Sequence, residues 1–129
     1  MRTVALAVVG WGIPGGAQFL TRRYVSCGLF AGAVWSAVAA GIAMQGGGQW
    51  PSGADLAGLD GPAALLFRLG AVTQALAGAP YLIAQALGLS GTFLEGRLHE
   101  HGTTLLTMAG TINLLAVSTA LDRRKEAGQ

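Results

Sequence analysis

Chemistry in this sequence could come from one short polar link. Between Ser90 and Gly102 it gathers Glu95, Arg97, His99, Glu100 and His101. Two histidines and two carboxylates are the right types to hold a metal, but their spacing argues against it. His99 and His101 are two apart, which suits a strand or loop and sets them on different sides of a helix. Zinc-binding helices use His-Glu-x-x-His, with the ligands four positions apart; here the order is His-Glu-His. The sequence therefore predicts no metal and no resident cofactor. The remaining cofactor-binding role for His99 or His101 is as a ligand to a haem or chlorophyll held by a larger complex. A solvated interfacial link is the plain alternative.

Other chemistries fail on local pattern. Gly46-Gly47-Gly48 is followed by Gln-Trp-Pro, where a phosphate-binding loop needs Lys-Ser/Thr. Asp55 and Asp60 lack the ligand spacing of a calcium loop. Cys27 is the only cysteine, so neither an internal disulfide nor a Cys-x-x-Cys pair exists; it reads as a small apolar residue. No nucleophile, base and orienting group form a set, so the chain is expected to have no catalytic residues and not to be an enzyme. Net charge is only +2 with a pI near 9.2. The eight basic residues sit mainly at segment ends and form no basic patch with interleaved aromatics, so nucleic acid is not expected as a partner.

The elements around that link are apolar. Hydrophobic residues make up 52% of the 129 and charged residues 11%, against about 25% charged in a soluble domain. Mean hydropathy is +0.52. A soluble chain this short could not cover its surface with so few charges, whereas a bilayer accepts apolar faces. The expected fold is all-α: a single integral membrane helical bundle over residues 1–129, multi-pass, with the lipid bilayer as its first partner.

Four stretches carry no charge: Thr3–Thr21, Tyr24–Ala54 (apolar only to Met44), Leu69–Leu94 and Gly102–Leu121. A spanning helix needs about 20 mostly apolar residues. Helices are expected over roughly 3–20, 24–45, 62–89 and 103–121. The first begins Met1-Arg2 before an apolar run, as a signal peptide does; no Ala-x-Ala site closes it, and it is expected to be retained. Pro14 should break it near Ile13, leaving it kinked or re-entrant. Pro80 should kink the third. In the second, Gly28, Gly32, Ser36 and Ala40 recur every four residues and share one face, a ribbon that lets helix backbones approach in lipid. Trp50 is expected in the headgroup layer. Arg68 can snorkel to the interface. Asn113 shares a face with Ala109, Ala116 and Ala120 and should point at another helix.

Basic residues mark the cytoplasmic side. Arg22-Arg23 and Arg123-Arg124-Lys125 therefore both vote for it, yet three crossings separate them if every later segment spans. The expectation is four crossings with both termini inside and Arg22-Arg23 held outside. A third segment that does not cross would instead reconcile the two clusters.

The run Gly12-Ile13-Pro14-Gly15-Gly16-Ala17-Gln18-Phe19-Leu20-Thr21-Arg22-Arg23, followed by Gly28, resembles the signature of TM2-type membrane proteins. There a Pro-Gly-Gly turn leads to an aromatic, a Gly-Arg pair and a glycine in the next helix. Thr21 stands where that glycine is usual, and Gln18-Phe19 replaces a His or Tyr with its partner. Glu100-x-Gly102-Thr103-Thr104, Ala109-Gly110-x-x-Asn113-Leu114-Leu115 and Leu121-Asp122 look like a TM2-related bacterial family of unknown function. The resemblance implies a small helical protein of a bacterial inner membrane and no particular activity.

The expected function is that of a non-catalytic accessory or assembly subunit of a larger membrane complex, packing against other integral membrane subunits or itself. Pro14, Gly15, Gly16, Arg22, Arg23, Gly28, Gly32, Arg68 and Asn113 are its expected packing and interaction residues. The alternative is a small oligomeric transporter or channel. Its pathway would be lined by the broken helices and by Arg68, Gln74, Gln85 and Asn113.

Overall fold

The computed structural model describes residues 2–44, 46, 61–89 and 97–126; the side chains of residues 2, 97 and 99 are outside that description. Trp50, Asp55, Asp60 and Glu95 lie outside the described residues. Every described element is a helix: α1 (Arg2–Gly12), α2 (Gly16–Leu20), α3 (Tyr24–Ala43), α4 (Gly61–Ala75), α5 (Ala79–Ala86) and α6 (Arg97–Glu126).

Two of these, α3 and α6, are long and apolar enough to cross a membrane. At about 1.5 Å per residue, the 20 residues of α3 match a hydrocarbon core of about 30 Å. The 30 residues of α6 exceed it and carry polar ends beyond it. The helix expected to start at residue 103 starts at Arg97 instead, absorbing part of the polar link. Gly102, taken as its boundary, is an interior helical residue that lets the backbone of Gly41 approach: a Cβ on Gly41 would lie 2.9 Å from the Gly102 carbonyl oxygen.

That contact pairs the end of α3 with the start of α6. At the opposite end Arg23 shares a groove with Thr119, Asp122 and Arg123, so α3 and α6 run antiparallel. Between them Val34 and Val38 pack on Leu106 and Ala109, with Ala77 and Tyr81 completing the cluster. A smaller cluster joins Leu6 and Ala17 to Ala120. In lipid such interdigitation, rather than exclusion of water, holds helices together.

The first segment is broken where the proline predicts. Helix α1 stops at Gly12, Pro14 occupies the turn, and Gly15 caps α2 from the left-handed region. The 11 residues of α1 reach only about 16 Å. Ala5 and Leu6 near its start line the same cavity as Leu20 and Thr21 at the end of α2. The segment is therefore a hairpin that returns to the end it came from.

The third segment is also broken, with α4 and α5 bent by 105°. The break lies upstream of Pro80, at Leu76–Gly78. Pro80 itself sits in the first turn of α5, where a missing N–H costs nothing. Gly78 adopts φ 74, and a Cβ there would run into the carbonyl oxygen of Trp11; the position needs glycine twice over. The end of α3 and the start of α6 lie side by side at Gly41 and Gly102, so α4–α5 belongs to a connection between two points at one end of the bundle.

The expected topology set Arg22-Arg23 on the side opposite the C-terminal basic run, whereas the bundle brings the two clusters together. Arg22, Arg23, Arg123 and Arg124 line one cavity at one end of the bundle. The expectation of four spans assumed that every uncharged stretch crosses. Two helices have the length and composition to do so, or up to three if the bent pair is taken as one span.

Candidate functional site

Two places in the bundle gather polar groups: a cavity at the arginine end and a junction where the two hairpin tips meet.

The cavity has a volume of about 770 Å³. Arg22 and Arg23 reach it from the α2–α3 turn, and Arg123 and Arg124 from the last turn of α6. Leu6, Leu20 and Phe30 supply an apolar wall. Gln18 also lines it, 3% exposed, with Nε2 donating to the Ala116 carbonyl oxygen at 2.7 Å. Among the described residues, two buried atoms of these side chains lack a protein partner: the acceptor Gln18 Oε1 and the donor Arg124 Nε. Among the described residues, no acidic residue lines the cavity. Asp122 and Glu126 sit in the adjoining groove with Arg23 and Arg123, and Asp122 lies 3.9 Å from Lys125 in an exposed pair.

The turn that delivers Arg22 is unusual. Arg23 N–H donates to the Gln18 carbonyl at 2.9 Å and Arg22 N–H to the Phe19 carbonyl at 3.0 Å. These two bonds make a Schellman ending for α2, with Arg22 in the left-handed position at φ 58. Glycine usually fills that position, and an L-residue there costs roughly 1–2 kcal/mol. Arg22 is the only described non-glycine residue with positive φ.

At the junction, α1 and α4 both end inside the bundle and leave carbonyls without helical partners. Asn113 Nδ2 donates to the Trp11 carbonyl at 3.0 Å and to the Leu76 carbonyl at 2.8 Å. The Trp11 indole N–H donates to the Ala75 carbonyl at 3.1 Å. Asn113 is 1% exposed and its Oδ1 has no partner among the described residues. Gly110, one turn earlier, lies against the Thr73 carbonyl oxygen, where a Cβ would overlap it. In an apolar medium each unsatisfied backbone group costs several kcal/mol, so this one asparagine closes both hairpins.

The sequence-predicted residues divide by place. Pro14, Gly15 and Gly16 are buried in the first turn. Arg22 and Arg23 are exposed at the cavity rim, and Asn113 is at the junction. Gly28 and Gly32 face outward: a Cβ on either meets nothing within 4 Å, and Ser36 and Ala40 are exposed with them. Arg68 is exposed on α4 and packs nothing within the chain's core clusters. His101 is exposed in the first turns of α6 beside Glu100, and the His99 side chain is outside the described residues. Among the described residues, no group of three or more His, Cys, Asp or Glu gathers. Sequence reading gave Gln18 a place only in the TM2-like run, and gave neither Gln18 nor Trp11 a site role. A glutamine inside an uncharged run, four residues before Arg22, was the available signal.

A family model matches residues 5–127, nearly the whole of this arrangement. The chain belongs to that family, described as a family of unknown function (DUF6677). No curated protein and no solved structure matches it.

Proposed function

We propose that this chain is a small, non-catalytic integral membrane protein that serves as an accessory or assembly subunit. Helix α3 packs against a transmembrane helix of a partner subunit or a second copy. The observation that carries this reading is the outward ribbon Gly28–Gly32–Ser36–Ala40 on a helix of spanning length. The opposite face, Val34, Val38 and Gly41, already serves the chain's own core. Small residues on a lipid-facing helix give up packing area unless another backbone comes close.

The membrane arrangement in this reading has α3 and α6 as spans and the two hairpins entering from opposite sides. The arginine end lies in the cytoplasm by the positive-inside rule. A TM2-like character for Gly12–Arg23 and a bacterial inner membrane as its location belong to the same proposal.

Mild-detergent purification of the tagged chain tests it. The expected result is a stoichiometric membrane partner, lost in the double variant Gly28→Leu/Gly32→Leu; recovery only as a homo-oligomer would favour the second reading below. Recovery of both proteins as the same monomer would contradict it.

A second reading, a small oligomeric transporter, is favoured by the junction itself. Interrupted helices meeting near the midplane are how transporters build binding sites, and Asn113 Oδ1 is a buried acceptor without a partner among the described residues. This reading requires recovery as a homo-oligomer without any other subunit.

A further inference from the structure

We infer that the arginine-rimmed cavity is a binding site for an anionic phospholipid of the phosphatidylglycerol class. The inference rests on the proposed membrane placement of that end, and three observations carry it.

First, four arginines from two separate elements converge on one cavity of about 770 Å³, lined by no carboxylate among the described residues. Guanidinium groups pair with phosphate oxygens through directed, often bidentate, hydrogen bonds. Basic pockets between helices at the cytoplasmic surface are where lipid head groups are held. Second, the cavity is amphipathic. Leu6 and Phe30 continue its wall, which suits an acyl chain and not a free ion.

Third, two side chains that line it each carry a buried polar atom with no hydrogen-bond partner among the described residues. Arg124 Nε is a donor awaiting an acceptor, and Gln18 Oε1 is an acceptor awaiting a donor. Gln18 is held by its own Nε2 bond to Ala116, so Oε1 cannot rotate away without breaking that bond. Buried polar atoms without partners are uncommon and call for an explanation. A phosphodiester supplies the acceptor, and the hydroxyls of a glycerol head group supply the donor. Choline has no donor to offer, and inorganic phosphate has no tail for the apolar wall. The left-handed Arg22 agrees with this: glycine would suit the backbone, and only a side chain can contribute to the cavity.

The test is retention of lipid by the purified full-length chain, read by native mass spectrometry. Dioleoyl phosphatidylglycerol, dioleoyl phosphatidylcholine and inorganic phosphate are offered separately. The wild type should retain one phosphatidylglycerol preferentially. Arg22→Gly and Arg124→Gln should each weaken retention about tenfold, the effect of losing one charge-assisted hydrogen bond. Arg22→Gly should do so with no fall in thermal unfolding temperature, which separates lost binding from lost fold. Gly28→Leu/Gly32→Leu should retain lipid as the wild type does, so this inference and the partner reading fail independently. Equal retention of phosphatidylcholine would overturn the inference. So would phosphate binding as tightly as phosphatidylglycerol, or undiminished retention by both arginine variants.

Discussion

The two hairpins turn by similar means and end differently. Each has a glycine of positive φ at its tip, Gly15 in one and Gly78 in the other. Each finishes in a Schellman turn, with Arg22 in the left-handed position after α2 and Gly88 in that position after α5. Gly88 is exposed, with open space around it. Arg22 stands at the rim of a cavity shared with three other arginines. The backbone asks for glycine in both places and receives it in only one. Where the turn has only a structural task, the unstrained residue is present; where it also presents a charge, strain is tolerated.

The tips should be the most sensitive positions. Gly78→Val places a Cβ against the Trp11 carbonyl oxygen and forces a left-handed valine, and should destabilise the bundle by about 3 kcal/mol or more. Unfolding in mild detergent measures it; a loss under 1 kcal/mol would mean the hairpin tips are not in contact. Asn113→Leu strands the Trp11 and Leu76 carbonyls and should cost about 2 kcal/mol. A smaller loss, near the 0.6 kcal/mol average for membrane hydrogen bonds, would show that the carbonyls find other donors.

The Schellman turns make the sharper comparison. Arg22→Gly should raise stability by about 1 kcal/mol, and Gly88→Arg should lower it by about the same. Equal and opposite shifts would establish that backbone conformation alone sets the stability difference. A fall in stability for Arg22→Gly would show that Arg22 serves the fold. The smallest effect should come from the ribbon: Gly28→Leu/Gly32→Leu should change the isolated chain's stability by no more than about 0.5 kcal/mol, because both positions open outward.

Much of this fold can be read from residue types. Uncharged runs of bilayer length predict helices; α3 follows its run closely, and α6 contains its run and extends beyond it at both ends. Pro14 beside Gly15-Gly16 predicts a break in the first segment, and the chain turns there. Proline was a poorer guide at Pro80. A proline can begin a helix as well as interrupt one, and the break was set upstream by the close approach of Gly78 to Trp11. Asn113 could be assigned to a helix interface from its small neighbours, but not to two interrupted helices at once, because its partners are backbone carbonyls more than 35 positions away in the chain. The cavity was the least legible part. Each arginine pair could be read as an interface anchor. Bringing the pairs together depends on how residues 61–89 pack against the rest of the bundle, at Gly110, Ala77 and Tyr81, and not on hydropathy. The ribbon on α3 was legible in spacing alone, while its outward direction required the position of α6.

The most direct test concerns that topology. In a Cys27→Ser background, Arg22→Cys and Lys125→Cys can be compared for labelling by an impermeant thiol reagent in sealed, oriented membranes. With α3 and α6 as the spans and both hairpins returning to their own sides, the two positions should label from the same, cytoplasmic, side. Labelling from opposite sides would contradict the antiparallel pairing, and with it the arginine cavity.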